Sequence, residues 1–281
     1  MSTSPRTKPE LRSLEGVPFL ELIELRHGPI PPLGRFFLLA EQAARDRGVH
    51  LRLHRDMASL AEQYPGVDPD RGLPVHPIFD PAHHDLSPAN SFWIAGHDES
   101  GRLVATQAAH FFDMTGSTLE RELASMRLWF GEPEKYRAAG TRCLVDCPPA
   151  ELITGRVVYS GGAVYHPKVR GCGLSRILPR MSRALAYSQW NSDYTMSLVR
   201  PILLSKNVEK SYGYTRHAPS VQLRGYDRGD VDAELVWMPR DEMLEDLSRY
   251  VSEGLANEVR STETTETNGV APERQGSSNR S

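Results

Sequence analysis

The residues best suited to chemistry form one short loop, Arg170-Gly171-Cys172-Gly173-Leu174-Ser175. Its glycines allow the backbone to approach a ligand closely, and the apolar spacing that follows predicts a helix. A loop that ends at a helix N-terminus presents free backbone N–H groups and a partial positive charge, to which Arg170 adds bidentate donors. The pattern therefore predicts a site for a phosphate or a pyrophosphate.

Two familiar phosphate-binding patterns do not fit this loop. A P-loop requires Gly-Lys-Ser/Thr at the start of the helix, and no such run follows Gly173. The dinucleotide-binding fingerprint requires a third glycine at position 176, which is occupied by Arg176. The sequence therefore disfavours both a P-loop nucleotide site and a nicotinamide or flavin site.

The loop, with a strand and His166-Pro167 before it, resembles the acyl-CoA pyrophosphate loop of the GNAT superfamily of N-acyltransferases. The pattern of that family is Arg/Gln-x-x-Gly-x-Gly/Ala, and Ser175 stands here at the last position. The Ser175 hydroxyl would donate to the ligand or cap the helix. The resemblance implies that acetyl-CoA or another acyl-CoA is the co-substrate, and that it is bound by Val164, Tyr165, Arg170, Gly171, Cys172, Gly173, Leu174, Ser175 and Asn207.

The elements around the loop agree with this resemblance. Residues 91–113 predict a β-hairpin, residues 193–199, 221–224 and 233–238 predict further strands, and residues 201–210 predict a short helix. The resemblance spans roughly residues 33–240. It implies an α/β fold, a GNAT-like mixed and mostly antiparallel central sheet flanked by helices, with splayed parallel strands 4 and 5.

A glycine pair, Gly161-Gly162, interrupts the strand that precedes the loop. Glycines inside a strand weaken it and usually mark a bulge or a close backbone approach. In the GNAT family, a bulge in the fourth strand helps to separate it from the fifth. The resemblance then implies that the amides of a pantetheine arm fill the gap between the two strands.

The catalytic candidates follow from what acyl transfer requires: a neutral amine, a donor for the oxyanion and a proton for the leaving thiolate. The family's acidic tyrosine lies about four residues before a Gly-Phe pair, and alignment on Gly213-Tyr214 places Glu209 there. Tyr212 and Tyr214 are the candidate acids in its place. Departure without an acid remains open, since a thiol has a pKa of about 8.5. His110 is the candidate base that needs the least pKa tuning, and Asp146, Glu151 and Glu120 are the other candidates.

A long excursion, about residues 113–152, separates the third strand from the fourth, where a hairpin needs only a few residues. Residues 117–130 predict a helix that begins with a capping box formed by Ser117 and Glu120. The excursion is either a lid or wall of the acceptor site or a packing or dimerisation element.

Composition limits the remaining possibilities. The chain of 281 residues has 33 Lys and Arg against 36 Asp and Glu, a net charge of -3, which gives no reason to expect nucleic acid or an anionic membrane as a partner. No apolar run reaches the roughly 20 residues of a membrane span, so we expect a cytoplasmic protein. Three cysteines and the pair His83-His84 give neither a disulfide framework nor a metal site. We predict a flexible N-terminus over 1–16, one domain over 17–255 and a disordered tail over 256–281.

These patterns together predict an acyl-CoA-dependent N-acyltransferase, with acetyl transfer to an amine of a small molecule or a protein as the expected reaction. A non-catalytic GNAT-like module that binds acyl-CoA or works through a partner is the alternative. An acyl-homoserine-lactone-synthase-like or aminoacyl-transferring enzyme of related fold is a third possibility. A homodimer is compatible with each of them.

Overall fold

An eight-stranded sheet organises the part of the chain that this computed structural model describes, residues 18–205 and 208–268. The strands are β1 (His50–His54), β2 (Ser91–His97), β3 (Leu103–Met114), β4 (Arg142–Val145), β5 (Gly155–Tyr165), β6 (Tyr194–Val199), β7 (Arg216–Arg224) and β8 (Val231–Pro239). Their order is β1-β2-β3-β5-β6-β8-β7-β4. Within this sheet only β5 and β6 pair in parallel, and every other neighbouring pair is antiparallel. The predicted mixed, mostly antiparallel α/β sheet is confirmed.

Helices cover both faces of the sheet. They are α1 (Phe19–Leu22), α2 (Ile30–Arg45), α3 (Met57–Val67), α4 (Leu119–Ala124), α5 (Pro133–Ala138), α6 (Leu178–Trp190), α7 (Pro201–Leu204), α8 (Val208–Tyr212) and α9 (Arg240–Asn268). Apolar residues of α2, α6 and α9 form the core on one face. Residues of α3 and of the excursion form a second core on the other face. Burial on both faces explains why the central strands are almost continuously apolar rather than alternating.

The sheet separates into two halves between β5 and β6. Their parallel pairing is confined to three positions, Val157 to Tyr159 opposite Tyr194 to Met196. Beyond these positions β5 continues to pair with β3, and β6 continues to pair with β8. The register between β3 and β5 shifts near Gly162, which has a φ of 64°. The predicted splay and bulge are thus present. The family's strands 4 and 5 are here β5 and β6, because the excursion adds β4.

The excursion between β3 and β5 is not the long helix that its spacing predicts. Helix α4 has only six residues. Its N-cap is Thr118, whose hydroxyl accepts the N–H of Arg121, and the Ser117 hydroxyl donates to Glu122. The predicted capping box is therefore wrong, since the adjacent threonine caps the helix instead. After α4 the chain turns at Met126, which has a φ of 61°. The apolar side chains of Met126, Trp129 and Phe130, which we predict on one face of a longer helix, are instead buried in and after this turn.

The C-terminal helix is longer than the sequence indicates. Helix α9 continues to Asn268, whereas we predict disorder from position 256. No glycine or proline occurs between Leu255 and Asn268, so nothing in this polar segment breaks the helix that the preceding turns have nucleated. Residues 1–17 and 269–281, which include the predicted flexible N-terminus, lie outside the described residues. No described helix has both the length and the apolar character required to cross a bilayer.

We expect the buried His110 to make the fold sensitive to acid. Its ring lies on β3 with 4% exposure, and Nδ1 donates to the carbonyl of Ile78 at 3.0 Å. Burial, reinforced by the neighbouring His84, lowers the pKa of His110 to about 3. The unfolded chain, with an ordinary histidine pKa near 6.5, therefore binds more protons than the folded chain below that pH. Stability should fall between pH 6.5 and pH 3, by up to about 1.4 kcal/mol per pH unit for this group.

The measurement is the free energy of unfolding in urea at pH 7.5 and at pH 5. His110→Gln keeps an N–H donor for the Ile78 carbonyl and should lose less stability on acidification than the unchanged chain. The exposed His27 offers a matched control, and His27→Gln should retain the full acid sensitivity. An equal loss in all three proteins would assign the acid sensitivity to other groups.

Candidate functional site

The predicted phosphate loop connects β5 to α6 through two 3₁₀ turns, Pro167–Val169 and Leu174–Arg176. Gly171 and Gly173 have φ angles of 81° and 88°. Residues with a Cβ are strained in this left-handed region, so the two glycines are required by the backbone itself. The helix proper begins at Leu178, later than the apolar spacing predicts.

The loop presents a row of backbone donors without acceptors. Among the described residues, none accepts a hydrogen bond from the backbone N–H groups of positions 171–175. The next two N–H groups, of Arg176 and Ile177, donate to the carbonyls of Gly173 and Leu174. Consecutive N–H groups in a glycine-containing turn form a concavity that binds anions. The loop therefore fits a pyrophosphate.

Two arginines fix the shape of the loop. Arg170 Nε donates to the Tyr165 carbonyl at 3.0 Å, and its terminal nitrogen pairs with the buried carboxylate of Asp68. Arg47, from the end of α2, donates from Nε to the Cys172 carbonyl at 2.6 Å. Arg170 thus carries a carboxylate partner that the sequence does not indicate. Arg47 brings a second guanidinium beside Gly173. Because Arg47 is distant from the loop along the chain, no local sequence pattern predicts this contact.

The other predicted loop residues have mostly structural contacts. Cys172 Sγ donates to the Val169 carbonyl at 2.7 Å, and Ser175 Oγ shares a 2.6 Å hydrogen bond with Ser211 Oγ instead of capping its own helix. Leu174 is buried in the core. Val164 and Tyr165 pair with β3, so they adjoin the loop without lining the cavity described next. Asn207 lies outside the described residues.

A cavity of about 300 Å³ lies where β5 and β6 diverge. Its wall includes Gly161, Gly162 and Ala163 of the bulge. It also includes the last three residues of β6, Ser197 to Val199, and Arg200, which follows the strand. Six aromatic side chains contribute to the lining, those of Tyr64, Phe79, Trp129, Tyr159, Tyr212 and Tyr214. No Asp or Glu is found among the described residues that line it. The described wall of the cavity is thus rich in aromatic side chains and free of acidic groups.

Tyr212 and Tyr214, the predicted acids, both line this cavity. Burial raises the pKa of each phenol to about 12, so both are protonated at neutral pH. The Tyr214 hydroxyl makes no hydrogen bond of good geometry with the described residues, although the side chains of Arg183 and Ser160 interact with it and lower its pKa; the Arg183 guanidinium lies 4.8 Å from its ring centroid. Arg183 is fully buried and shares the carboxylate of Asp246 with Arg180. One carboxylate between two guanidinium groups leaves positive charge beside Tyr214, which opposes the effect of burial on its pKa.

A buried polar chain that the sequence analysis missed reaches the same cavity. Gln107 Nε2 donates to Ser160 Oγ at 3.1 Å, and Ser160 Oγ donates to Ser182 Oγ at 3.2 Å. Gln107 and Ser160 line the cavity, and Gln107 Oε1 has no described partner. The available signal was a lone amide side chain within the apolar strand 103–112.

The strand order, the parallel β5–β6 pair that separates at a bulge, and the glycine loop that follows it together settle the fold. The chain has a GNAT-like fold. No protein-family model matches the chain, and no curated protein matches it.

Solved structures with similar backbones include GNAT acetyltransferases. A spermidine N-acetyltransferase SpeG mutant from Vibrio cholerae shares 10% identity over 69% of this chain and 96% of its own, with a TM-score of 0.40. Mycobacterium smegmatis RimJ, in complex with CoA-disulfide, shares 12% sequence identity over 72% of this chain and 88% of its own, with a TM-score of 0.40. The GNAT domain of S. lividans PAT shares 17% sequence identity over 67% of this chain and 90% of its own, with a TM-score of 0.35. At these values the similarity decides nothing about the activity of this chain.

Within the GNAT-like fold, Tyr159 occupies the gap between the diverging strands. Its hydroxyl accepts the N–H of Leu198 at 3.3 Å, so the side chain of one strand satisfies a backbone donor of the other. Burial raises the pKa of this phenol. The gap is therefore bridged by a side chain rather than by backbone pairing.

The candidate bases lie elsewhere. His110 is held by the Ile78 carbonyl, and neither it nor Asp146, Glu151 or Glu120 lines the cavity. Glu209, at the family's tyrosine position, does not line it either.

One histidine that the sequence analysis did not select, His76, does line the cavity. Burial lowers its pKa to about 4, and Nδ1 accepts the N–H of Ile78 at 3.3 Å. The neutral ring then carries its proton on Nε2 and acts as a hydrogen-bond donor.

Proposed function

We propose that this chain is an acyl-CoA-dependent N-acyltransferase, with acetyl-CoA as the expected donor and an amine as the acceptor. One observation carries the proposal: the row of unpaired N–H groups at positions 171–175 follows the strand whose divergence from β6 opens an aromatic cavity. The loop suits the pyrophosphate of an acyl-CoA, and the gap suits its amide-containing arm. The RimJ structure described above is in complex with CoA-disulfide, which is compatible with such a donor.

The lining residues match the steps of acyl transfer. The amine nitrogen attacks the thioester carbonyl carbon, the C–N bond forms and the C–S bond breaks, so the sulfur leaves with the electron pair. Tyr214 or Tyr212 is a protonated phenol able to donate a proton to that thiolate. The attacking amine loses a proton to water, because no carboxylate occurs on the described wall, and the phenolate left on the tyrosine takes a proton back from water. Apolar walls favour the neutral amine before attack, since desolvation disfavours the ammonium form.

The proposal is tested by binding and by turnover. Acetyl-CoA should raise the melting temperature, and a panel of amines should include one that releases free thiol from acetyl-CoA in a colorimetric assay. Failure of acetyl-CoA and of longer acyl-CoAs to shift the melting temperature would contradict the proposal.

A non-catalytic acyl-CoA-binding module is the second candidate. It is favoured by the presence of Glu209 where the family has its acidic tyrosine, and by the lack of a carboxylate base on the described cavity wall. The two candidates differ in one measurement: a binding module is stabilised by acetyl-CoA but releases no thiol with any amine.

The excursion is proposed as a wall of the acceptor site, because its Trp129 lines the cavity together with Val231 and Ala233 of β8. We expect Trp129→Leu, which removes the aromatic ring but keeps an apolar side chain, to raise the KM for the amine about tenfold and leave the KM for acetyl-CoA unchanged. Leu152, which is 77% exposed on the same excursion and does not line the cavity, provides a control outside the cavity in Leu152→Ala. An unchanged amine KM, with a change of oligomeric state in light scattering, would assign the excursion to packing or dimerisation.

A further inference from the structure

Strand β4 forms one end of the described sheet, where β7 is its neighbour on one side. We infer that the outer edge of β4 pairs antiparallel with β4 of a second copy of this chain, so that two sheets join across a two-fold axis. The inference concerns assembly and does not depend on the proposed acyl transfer. Because β4 is part of the excursion, it adds a role to that segment without replacing the wall that Trp129 is proposed to form.

The backbone of β4 offers hydrogen-bonding groups at its outer edge. Asp146 and Ser220 of β7 exchange both of their N–H to C=O hydrogen bonds, at 3.0 Å and 3.1 Å. Such pairs alternate along an antiparallel ladder, so Leu144 also faces β7, whereas the N–H and C=O groups of Cys143 and Val145 face outward. No backbone group elsewhere in the described ranges bonds to these outward groups. An edge of this kind can accept a further strand.

The exposed side chains of β4 and the next residue are self-complementary in one register. Arg142, Leu144 and Asp146 are exposed, and Leu144 has 49% of its surface in solvent. When Leu144 of one copy lies opposite Leu144 of the other, each Arg142 lies opposite an Asp146. In the same register the outward groups of Cys143 meet those of Val145. Apolar contact, opposite charges and backbone hydrogen bonds therefore coincide, whereas the neighbouring registers place Leu144 opposite a charged residue.

The surroundings of Arg142 within its own chain also favour an external carboxylate. Its cross-strand neighbour on β7 is Arg224, a like charge whose guanidinium already pairs with Asp232. Neither Arg142 nor Asp146 forms an ion pair with a residue that the structure describes. Like charges directly opposite each other are unfavourable, and an opposite charge at the same position is favourable. Asp146 of a second copy would supply that charge.

The other end of the sheet provides a contrast. Strand β1 carries Arg52 at its centre, on the same, more exposed face as His50 and His54. Symmetric pairing of two β1 strands about this residue would place Arg52 opposite its own copy, which is unfavourable. A positive charge on an edge strand is a common protection against strand addition. Self-pairing is therefore disfavoured at β1 and favoured at β4.

Charge reversal tests the pairing. Because β4 has only four residues, we expect a dimer that dissociates on dilution and can be measured by sedimentation equilibrium. Arg142→Asp places like charges at both ends of the interface and should raise the dimer dissociation constant at least about tenfold. Combining it with Asp146→Arg restores opposite charges in the same register and should restore the dimer. Arg102→Asp, the same change at an exposed position in the β2–β3 turn, should leave the dissociation constant unchanged.

Cross-linking tests the register. The two copies of residue 144 would form a non-hydrogen-bonded pair with Cα atoms about 4.5 Å apart, a distance that a disulfide spans. Leu144→Cys should therefore give a covalent dimer on a non-reducing gel after oxidation with diamide. In Arg142→Cys the new thiols lie at opposite ends of the pair, about 14 Å apart, and should not cross-link. The unchanged chain, with Cys143, Cys147 and Cys172, gives the background.

Three results would each overturn the inference. The first is a chain that stays monomeric at every concentration measured. The second is a dimer whose dissociation constant does not respond to Arg142→Asp, because its interface would then lie elsewhere. The third is equal cross-linking through positions 142 and 144, which would exclude this register.

Discussion

Tyr214→Phe is expected to lower kcat about 100-fold while the affinity for acetyl-CoA stays unchanged, the effect of removing a general acid. The substitution deletes only the hydroxyl of a residue that lines the cavity, and this hydroxyl makes no hydrogen bond of good geometry with the described residues. Because no described hydrogen bond is lost, the melting temperature should change little. Steady-state kinetics with a fixed amine and a thermal-shift titration with acetyl-CoA measure the two quantities separately.

Tyr226 provides the control for this prediction. It is another buried tyrosine with a pKa raised to about 12 and an unpartnered hydroxyl, but it lies outside the cavity wall. Tyr226→Phe should therefore leave kcat unchanged. If Tyr212→Phe, rather than Tyr214→Phe, produces the loss, the acid is Tyr212. If neither tyrosine slows turnover, the thiolate leaves unaided or with help from Glu209, and Glu209→Gln becomes the decisive comparison.

Gly173→Trp should abolish the stabilisation by acetyl-CoA and weaken its binding by at least about 100-fold. A Cβ at this position would lie 3.6 Å from Arg47 Nε, and the indole would fill the concavity that the unpaired N–H groups surround. The positive φ of Gly173 adds backbone strain of about 1–2 kcal/mol, so the variant should melt at a lower temperature but remain folded.

Gly101→Trp separates strain from the loss of the site. Gly101 lies in the turn between β2 and β3 and has a φ of 81°, and a side chain at this position would extend into open space. The variant should lose similar stability and keep the full melting-temperature rise with acetyl-CoA. If acetyl-CoA raised the melting temperatures of the unchanged chain and of Gly173→Trp equally, the prediction that this loop binds the pyrophosphate would be wrong.

Local signals predicted the elements on which the site depends. The turn residues between β2 and β3, the glycine pair in β5 and the glycines of the loop each require a particular backbone conformation, and such requirements can be recognised in a short stretch of sequence. The parallel pairing of β5 and β6 followed from the resemblance that this loop carries. The same resemblance selected Tyr212 and Tyr214, which line the cavity, and their role as acids stays a prediction.

Long-range contacts explain what the sequence analysis missed. Arg47 reaches the loop from the turn after α2, and Gln107 meets Ser160 across the β3–β5 pair, so neither has a local pattern. On β3, Gln107 joins the polar chain of the cavity, whereas His110, three residues later, is engaged by the Ile78 carbonyl. Positions an odd number of residues apart on a strand point to opposite faces, and the sequence does not reveal which face meets a cavity. The capping prediction failed by one residue, because Ser117 and Thr118 are both capable caps.

Strand β4 can join the sheet only after the ribosome has synthesised β7, its pairing partner roughly 80 residues further along the chain. β7 in turn pairs with β8, which is made later still. Until both strands emerge, the excursion that carries Trp129 lacks the neighbours that bury it in the folded protein. The nascent chain therefore exposes this aromatic surface during translation, and the cavity wall that includes residues of β8 is completed only when the last strands have left the ribosome.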